Sequence, residues 1–217
     1  MNYLITAAGK GERFLKKGIK PPKPLIKVLG TELIFWSLKS FEFKPSDNLF
    51  IVTQKKDRVK EKISKKLQLI YGFINIYWLE LDSHKNGQLI TAIECVKNFN
   101  IKGEILIHNC DTFYKCKNNA FENNYKNKLF GSIVYFNSEG HNWSFIRIEN
   151  NKIIEVKEKK RISDNCSVGT YYFCDAQLFL EISEKYFSSF GRNHPEEFYI
   201  APLYDFAIKN SFEVLPI

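Results

Sequence analysis

The 217-residue chain is 44% hydrophobic and 15% aromatic, enough for one sizeable packed domain. Its net charge of +8 comes from scattered lysines, which draw anionic small molecules but lack the arginine stripe or aromatic RNP pattern of a nucleic-acid protein. No apolar run approaches the roughly 20 residues of a membrane span, no signal-peptide pattern opens the chain, and Cys95, Cys110, Cys116, Cys166 and Cys174 form no CxxC pair, so reduced thiols in a cytoplasmic protein are expected.

Residues 3–8 read as a buried strand, followed by a Gly-, Lys- and Pro-rich loop over 9–24 and a short extended piece, Leu25–Leu29, ended by Gly30. Ile34, Leu38 and Phe41 recur at helical spacing and predict a helix from Glu32 to Phe43. Leu49–Thr53 reads as a strand, Asp57–Leu69 as a helix with Val59, Ile63 and Leu67 on one face, and Ile74–Leu79 as a strand. A polar loop, Asp82 to Asn86, leads through Gly87 to a helix starting near Gln88, and Glu104–Asn109 is a fourth strand that closes on Cys110 and Asp111. Strands alternating with helices imply a mostly parallel sheet with helices on both faces, whose ligands sit at the carboxyl ends of the strands.

The second half changes character. Phe130–Phe136, Trp143–Ile148, Lys152–Lys157 and Cys166–Phe173 read as strands, with Asn150-Asn151 a hairpin turn. Helices are expected over Asp175–Phe187 and Glu196–Lys209, and a last strand over Phe212–Leu215. The expected organisation is one domain over 1–217: a parallel half, 1–115, that binds something phosphorylated, and a mixed half, 116–217, that covers the pocket.

Three clusters carry chemistry. In Ala7-Ala8-Gly9-Lys10-Gly11-Glu12-Arg13-Phe14, glycines let the backbone approach phosphate oxygens, and Arg13 and Lys23 can neutralise a polyphosphate. The loop lacks the Gly-Lys-Ser/Thr ending of a P-loop, and Phe14 stands where a dinucleotide fingerprint needs its third glycine. Read alone it is equally a tight strand-to-loop turn. Asp111, at the end of a buried strand, is either a turn cap or a magnesium ligand. The charged run Glu155 to Arg161 is either a solvated face or, through Glu158 and Lys159, a site for a second ligand. His108, Cys110 and Cys116 include zinc-ligand types, but they read as a strand-end histidine and two ordinary thiols.

Together these stretches resemble the nucleotidylyltransferases that make sugar nucleotides and related activated compounds. Ala7 to Phe14 with Pro22-Lys23-Pro24-Leu25 is similar to their signature. Asn109-Cys110-Asp111-Thr112 is similar to their metal-binding strand end, with Cys110 in place of the usual glycine. Glu158-Lys159 with Gly169-Thr170-Tyr171-Tyr172-Phe173 is similar to their acceptor-binding strands. The likeness covers nearly the whole chain in order. It implies a Rossmann-like nucleotide-diphospho-sugar transferase fold, an α/β architecture with a mostly parallel central sheet and a mixed β region over the pocket.

The implied reaction joins an NTP to a phosphorylated small-molecule acceptor and releases pyrophosphate. By resemblance, Ala7, Ala8, Gly9 and Gly11 hold the nucleotide, Arg13 the leaving pyrophosphate, Lys23 the reacting phosphates, and Asp111 a Mg2+ ion. Glu158, Lys159, Gly169 and Tyr171 hold the acceptor. Asp82 and Ser83, before Gly87, stand where thymidylyl- and uridylyl-type members have a glutamine. A carboxylate suits the amino group of cytosine and favours CTP. Among short members the chain looks nearest the cytidylyltransferases of capsule decoration, which implies a phosphoglutamine-like acceptor. A sugar 1-phosphate or a phosphocholine-like acceptor stays open, as does a homo-oligomer. The family's second metal-binding aspartate near the C-terminus has no counterpart before Ile217. Either the chain is cut or that carboxylate comes from elsewhere. A glycosyltransferase of the same fold would carry a DxD pair, which Asp111-Thr112-Phe113 lacks. A non-catalytic nucleotide-binding module is the remaining alternative.

Overall fold

The computed structural model describes residues 1–115, 129–191 and 195–217. A nine-stranded sheet runs through both halves. Its parallel part holds β1 (Asn2–Thr6), β4 (Asn48–Gln54), β5 (Asn75–Leu81) and β6 (Ile105–Asn109), and a two-stranded hairpin, β2 (Lys27–Val28) with β3 (Thr31–Glu32), stands apart. Helices α1 (Glu12–Leu15), α2 (Leu33–Leu38), α3 (Val59–Tyr71) and α4 (Gln88–Phe99) connect these strands. The second half adds β7 (Leu129–Asn137), β8 (Ser144–Glu149), β9 (Lys152–Glu158), β10 (Asn165–Phe173), α5 (Ala176–Ser188), α6 (Ala201–Lys209) and β11 (Glu213–Pro216). The strand order is β11-β7-β10-β6-β1-β4-β5, with the β8–β9 hairpin reaching β10 at Cys166↔Phe145. Among the described residues no helix is long and apolar enough to cross a membrane.

Period-2 alternation sends neighbouring strand residues to opposite faces. Leu4, Val52 and Ile107 pack under α4, α5 and α6 through Leu89, Val96, Phe179, Ile182 and Tyr204. Ile5, Ile51 and Leu106 pack under α2 and α3 through Ile34, Leu38, Val59, Ile63 and Leu67. Both cores therefore follow from the apolar runs read in the sequence. The hairpin turn at Asn150-Asn151 has positive φ at both residues, 48° and 58°, as a type I′ turn requires.

Three predicted boundaries move. The loop over 9–24 contains α1, and a 3-10 turn, Lys23–Leu25, runs from it into the first residue of the piece expected to be extended. The helix predicted to Phe43 stops at Leu38, because Phe41 and Phe43 leave the helix to pack on Tyr3, with ring centroids 5.1 and 4.8 Å away. The last helix begins at Ala201 rather than Glu196, because the preceding segment is pinned elsewhere. The Phe198 N–H donates to Asn86 O (2.9 Å), and the Phe198 carbonyl accepts from the Leu89 N–H (3.0 Å).

That pinning explains Gly87. Its backbone (φ 116°, ψ 165°) is open only to glycine, and a Cβ there would lie 2.2 Å from the Phe198 carbonyl oxygen. Gly87→Ala is expected to lower unfolding stability by at least about 2 kcal/mol, strain and backbone clash adding together. Urea denaturation checks this, and a variant as stable as the parent would refute the close approach.

Candidate active site

Chain order places a topological switch at β1. The chain moves from β1 outward through β4 and β5, then returns to lay β6 on the other side of β1. A crevice opens at the carboxyl ends of such diverging strands. Here those ends are Ala7-Ala8-Gly9 and Asn109-Cys110-Asp111, held level by the Thr6↔Asn109 register. Gln88, the first residue of α4, spans them. Its Nε2 donates to Thr6 Oγ1 (2.9 Å) and to Asn109 Oδ1 (2.8 Å).

Ala7 and Ala8 are buried, and the Ala7 N–H donates to Val52 O at 2.8 Å. The Ala8 carbonyl accepts from buried Gln54 Nε2 (2.6 Å) and faces His84 Nδ1 (3.3 Å). Beyond them the loop opens: no atom lies within 4 Å of where a Gly9 Cβ would stand. The cavity there, of about 310 Å³, is lined by Gly9, Gly11, Lys20, Lys23, Gln54 and Lys56 among others. Its lining sets Lys10, Lys20, Lys23 and Lys56 against Glu12 and Asp57, a net positive rim that suits an anion. A wider depression of about 450 Å³ lies at the opposite edge of the sheet, beside Asn2, Glu104 and Asp175, far from these residues.

Lys23 and Asp111 meet at this crevice, Nζ to Oδ2, at 2.9 Å with both side chains about three-quarters buried. Lys23 sits between Pro22 and Pro24 in the 3-10 turn, whose ring-locked φ angles hold the backbone without a long loop's freedom. Burial disfavours the Lys23 ammonium, but the charge and hydrogen bond of Asp111 favour it, and its pKa is raised. The Arg13 charge, on exposed α1, opposes this at Lys23. Burial pushes the Cys110 thiol up to about 12, so it is a neutral packing residue at pH 7.

His108 braces the Asp111 turn from below. Its Nε2–H donates to Thr112 O (3.0 Å), and its Nδ1 accepts from Thr170 Oγ1 (2.7 Å). Both ring nitrogens are engaged inside the protein, which leaves neither for a metal. Cys116, the third residue of that cluster, lies outside the described residues, whereas Cys95, Cys110, Cys166 and Cys174 are free thiols.

Burial drives the His108 pKa from 6.5 down to about 4. Between those values the unfolded chain binds the extra proton and the folded chain does not, so stability is lost as pH falls through this window. The loss amounts to on the order of 3 kcal/mol. His108→Gln is expected to flatten the stability–pH curve between pH 6.5 and 4 by about one proton, read from urea midpoints. An unchanged slope would refute the neutral buried imidazole.

The second half contributes through the β10 bulge. The register with β7 shifts between Ser167 and Tyr171, around Gly169 (φ 85°). A Cβ on Gly169 would come within 2.0 Å of Asn109 Nδ2, so the bulge presses this strand onto the crevice. Tyr171 is buried, and burial pushes its phenol up to about 12 despite hydrogen bonding to Ser167 and Ser144. Ser144 Oγ donates to the Glu158 carboxylate, and burial raises the Glu158 pKa. Lys159 Nζ reaches Tyr199 OH at 2.7 Å. Glu158, Tyr171 and Gly169 thus form one neighbourhood. Asp82, on the loop before Gly87, is 89% exposed and 3.6 Å from Lys55. Ser83, beside it, is exposed.

The chain resembles solved structures over its full length. A nucleoside-diphosphate-sugar pyrophosphorylase from Vibrio cholerae RC9 superposes with TM-score 0.84 at 27% identity, covering 100% of this chain and 91% of that one. A putative glucose-1-phosphate thymidylyltransferase from Bacillus anthracis gives 0.77 at 17% identity, covering 100% and 86%. The inositol-1-phosphate CTP transferase of T. maritima gives 0.70 at 12% identity, covering 100% and 84%. No family model matches the chain, and no curated protein does. The fold is that of the nucleotide-diphospho-sugar transferases. Its similar structures carry the names of nucleotidyltransferases.

In this nucleotide-diphospho-sugar transferase fold, Gln54, His84 and Gln88 are the crevice residues that sequence reasoning passed over. Gln88 had one signal, its place just after Gly87 at a helix start. Gln54 and His84 had none, since their partner is a backbone carbonyl contributed by a distant loop.

Proposed function

We propose that this chain is a nucleotidylyltransferase that passes a nucleotidyl group, CMP first, from an NTP to a phosphorylated small molecule and releases pyrophosphate. The observation that carries the reading is the Lys23–Asp111 pair at the strand switch, under an open glycine loop with a basic rim. The acceptor's phosphate oxygen attacks the α-phosphorus as the bond to the β-phosphate oxygen breaks, and the pyrophosphate leaves with that bond's electrons. An in-line displacement of this kind needs alignment and charge neutralisation rather than a covalent nucleophile. Lys23 neutralises the reacting phosphates and Arg13 the departing pyrophosphate. Ala7, Ala8, Gly9 and Gly11 line the nucleotide, with Gln54 and His84 holding the Ala8 carbonyl in place. Glu158, Lys159, Gly169 and Tyr171 receive the acceptor.

Asp111 would hold Mg2+. The fit is that of a single carboxylate, about three-quarters buried and already balanced by a cation; among the described residues no group of three or more His, Cys, Asp or Glu stands ready to cage a metal. Magnesium accepts such a site because it keeps waters and phosphate oxygens in its other positions, and there it would offset phosphate charge.

CTP is favoured because Asp82 can accept from an exocyclic amine, and one similar structure is named as a CTP transferase. A phosphoglutamine-like acceptor, in surface-polysaccharide precursor synthesis in the cytoplasm, is the first to test. A sugar 1-phosphate with UTP or dTTP is the second reading, favoured by the V. cholerae likeness. Pyrophosphate release is measured over CTP, UTP, dTTP, GTP and ATP against phosphoglutamine, phosphocholine and sugar 1-phosphates. Release with UTP or dTTP far above CTP would sink the cytidylyl reading, and no release with any pair would sink the reaction.

A further inference from the structure

We propose that Tyr199 is the positioning residue of the acceptor site, holding the Lys159 ammonium where an acceptor phosphate meets it. This rests on the nucleotidylyl-transfer reading. Lys159 follows β9 with φ 54°, its N–H donating to Trp143 O at 2.9 Å, so its backbone is fixed while its side chain is exposed. Its Nζ then makes two contacts with one residue. It donates to Tyr199 OH at 2.7 Å and lies 4.4 Å from the centre of the Tyr199 ring. The Tyr199 hydroxyl in turn donates to the Glu197 carboxylate, which commits its proton and leaves its lone pair for the lysine.

The holder is itself anchored on the nucleotide side. Glu197 and Tyr199 turn toward Lys159, while Phe198 between them is buried, with Phe187 4.8 Å and Phe190 5.7 Å from its ring. The Phe198 backbone bonds to Asn86 and Leu89 on either side of Gly87. One short strap therefore references the acceptor's cation to the loop expected to line the nucleotide. Tyr199 carried no sequence signal, because it lies 40 residues from Lys159.

Tyr199→Phe keeps the ring and drops the hydroxyl, and Tyr199→Leu drops both. The acceptor KM is expected to rise about tenfold in the first, the scale of one hydrogen bond to a charged group, and further in the second. The KM for the NTP and the unfolding temperature stay at parental values, which separates positioning from simple structural damage. A second readout needs no substrate: amine acylation of Lys159 relative to Lys160, read by peptide mass spectrometry, rises in Tyr199→Phe as the ammonium is released. Unchanged Lys159 labelling, or an unchanged acceptor KM in both variants, overturns the proposal. Parental protein without transfer activity would refute the reaction, while the labelling comparison would still uphold or refute the Lys159–Tyr199 arrangement.

Discussion

Lys23→Ala lowers turnover at least about a hundredfold, the scale for removing one preorganised charge from a developing phosphoryl transition state. The pair is about three-quarters buried, so removing Lys23 also leaves the Asp111 charge unpaired at a cost of about 1–3 kcal/mol, which urea denaturation measures separately from the catalytic loss. The loss falls on kcat more than on the KM of either substrate, because the neutralised charge grows only as the bond to pyrophosphate breaks. Lys23→Arg restores charge but not shape: a planar fork does not replace a compact ammonium between two prolines. Initial rates of pyrophosphate release at saturating substrates check this. Near-parental turnover in Lys23→Ala would mean the reacting phosphates lie elsewhere.

Asp111→Ala is expected to cost as much, at least about a hundredfold in turnover, and added Mg2+ should not restore it. Asp111→Asn tests charge against shape, since the amide keeps the size and loses the carboxylate. The Lys23 pKa should then fall, because burial would no longer be outweighed by the Asp111 charge and hydrogen bond. The two sites should not add. Once either partner is gone the other is misplaced, so Lys23→Ala/Asp111→Ala should be little slower than either single variant. Fully multiplicative losses would show that the residues act independently and that their 2.9 Å contact has no part in the reaction.

Much of the candidate site was legible in the chain because strand ends announce themselves. Ala7-Ala8-Gly9 and Asp111 each follow a short apolar run, and the topology brings such ends to one edge. The acceptor half was harder. Glu158 and Lys159 sit in a charged run that reads as solvated surface. Their partners Ser144 and Tyr199 come from separate segments. Asp82 lies on the loop before Gly87, exposed and 3.6 Å from Lys55, where its carboxylate is open to a ligand.

What the sequence determined by itself was the long strands and helices and the apolar faces of the two cores, though not α1 or the β2–β3 hairpin, since the periods of 2 and 3.6 are local properties of strands and helices. It also announced Lys23 and Asp111 as charges at loop and strand ends. Only the tertiary structure decided that these two meet at 2.9 Å, that Gln88 clasps β1 to β6, and that Gly87 is a glycine because the Phe198 backbone lies against it. The physical reason is separation along the chain. Asp111 is 88 residues from Lys23, and Phe198 is 111 from Gly87. Contacts over such distances depend on sheet order and crossover, which no local pattern encodes.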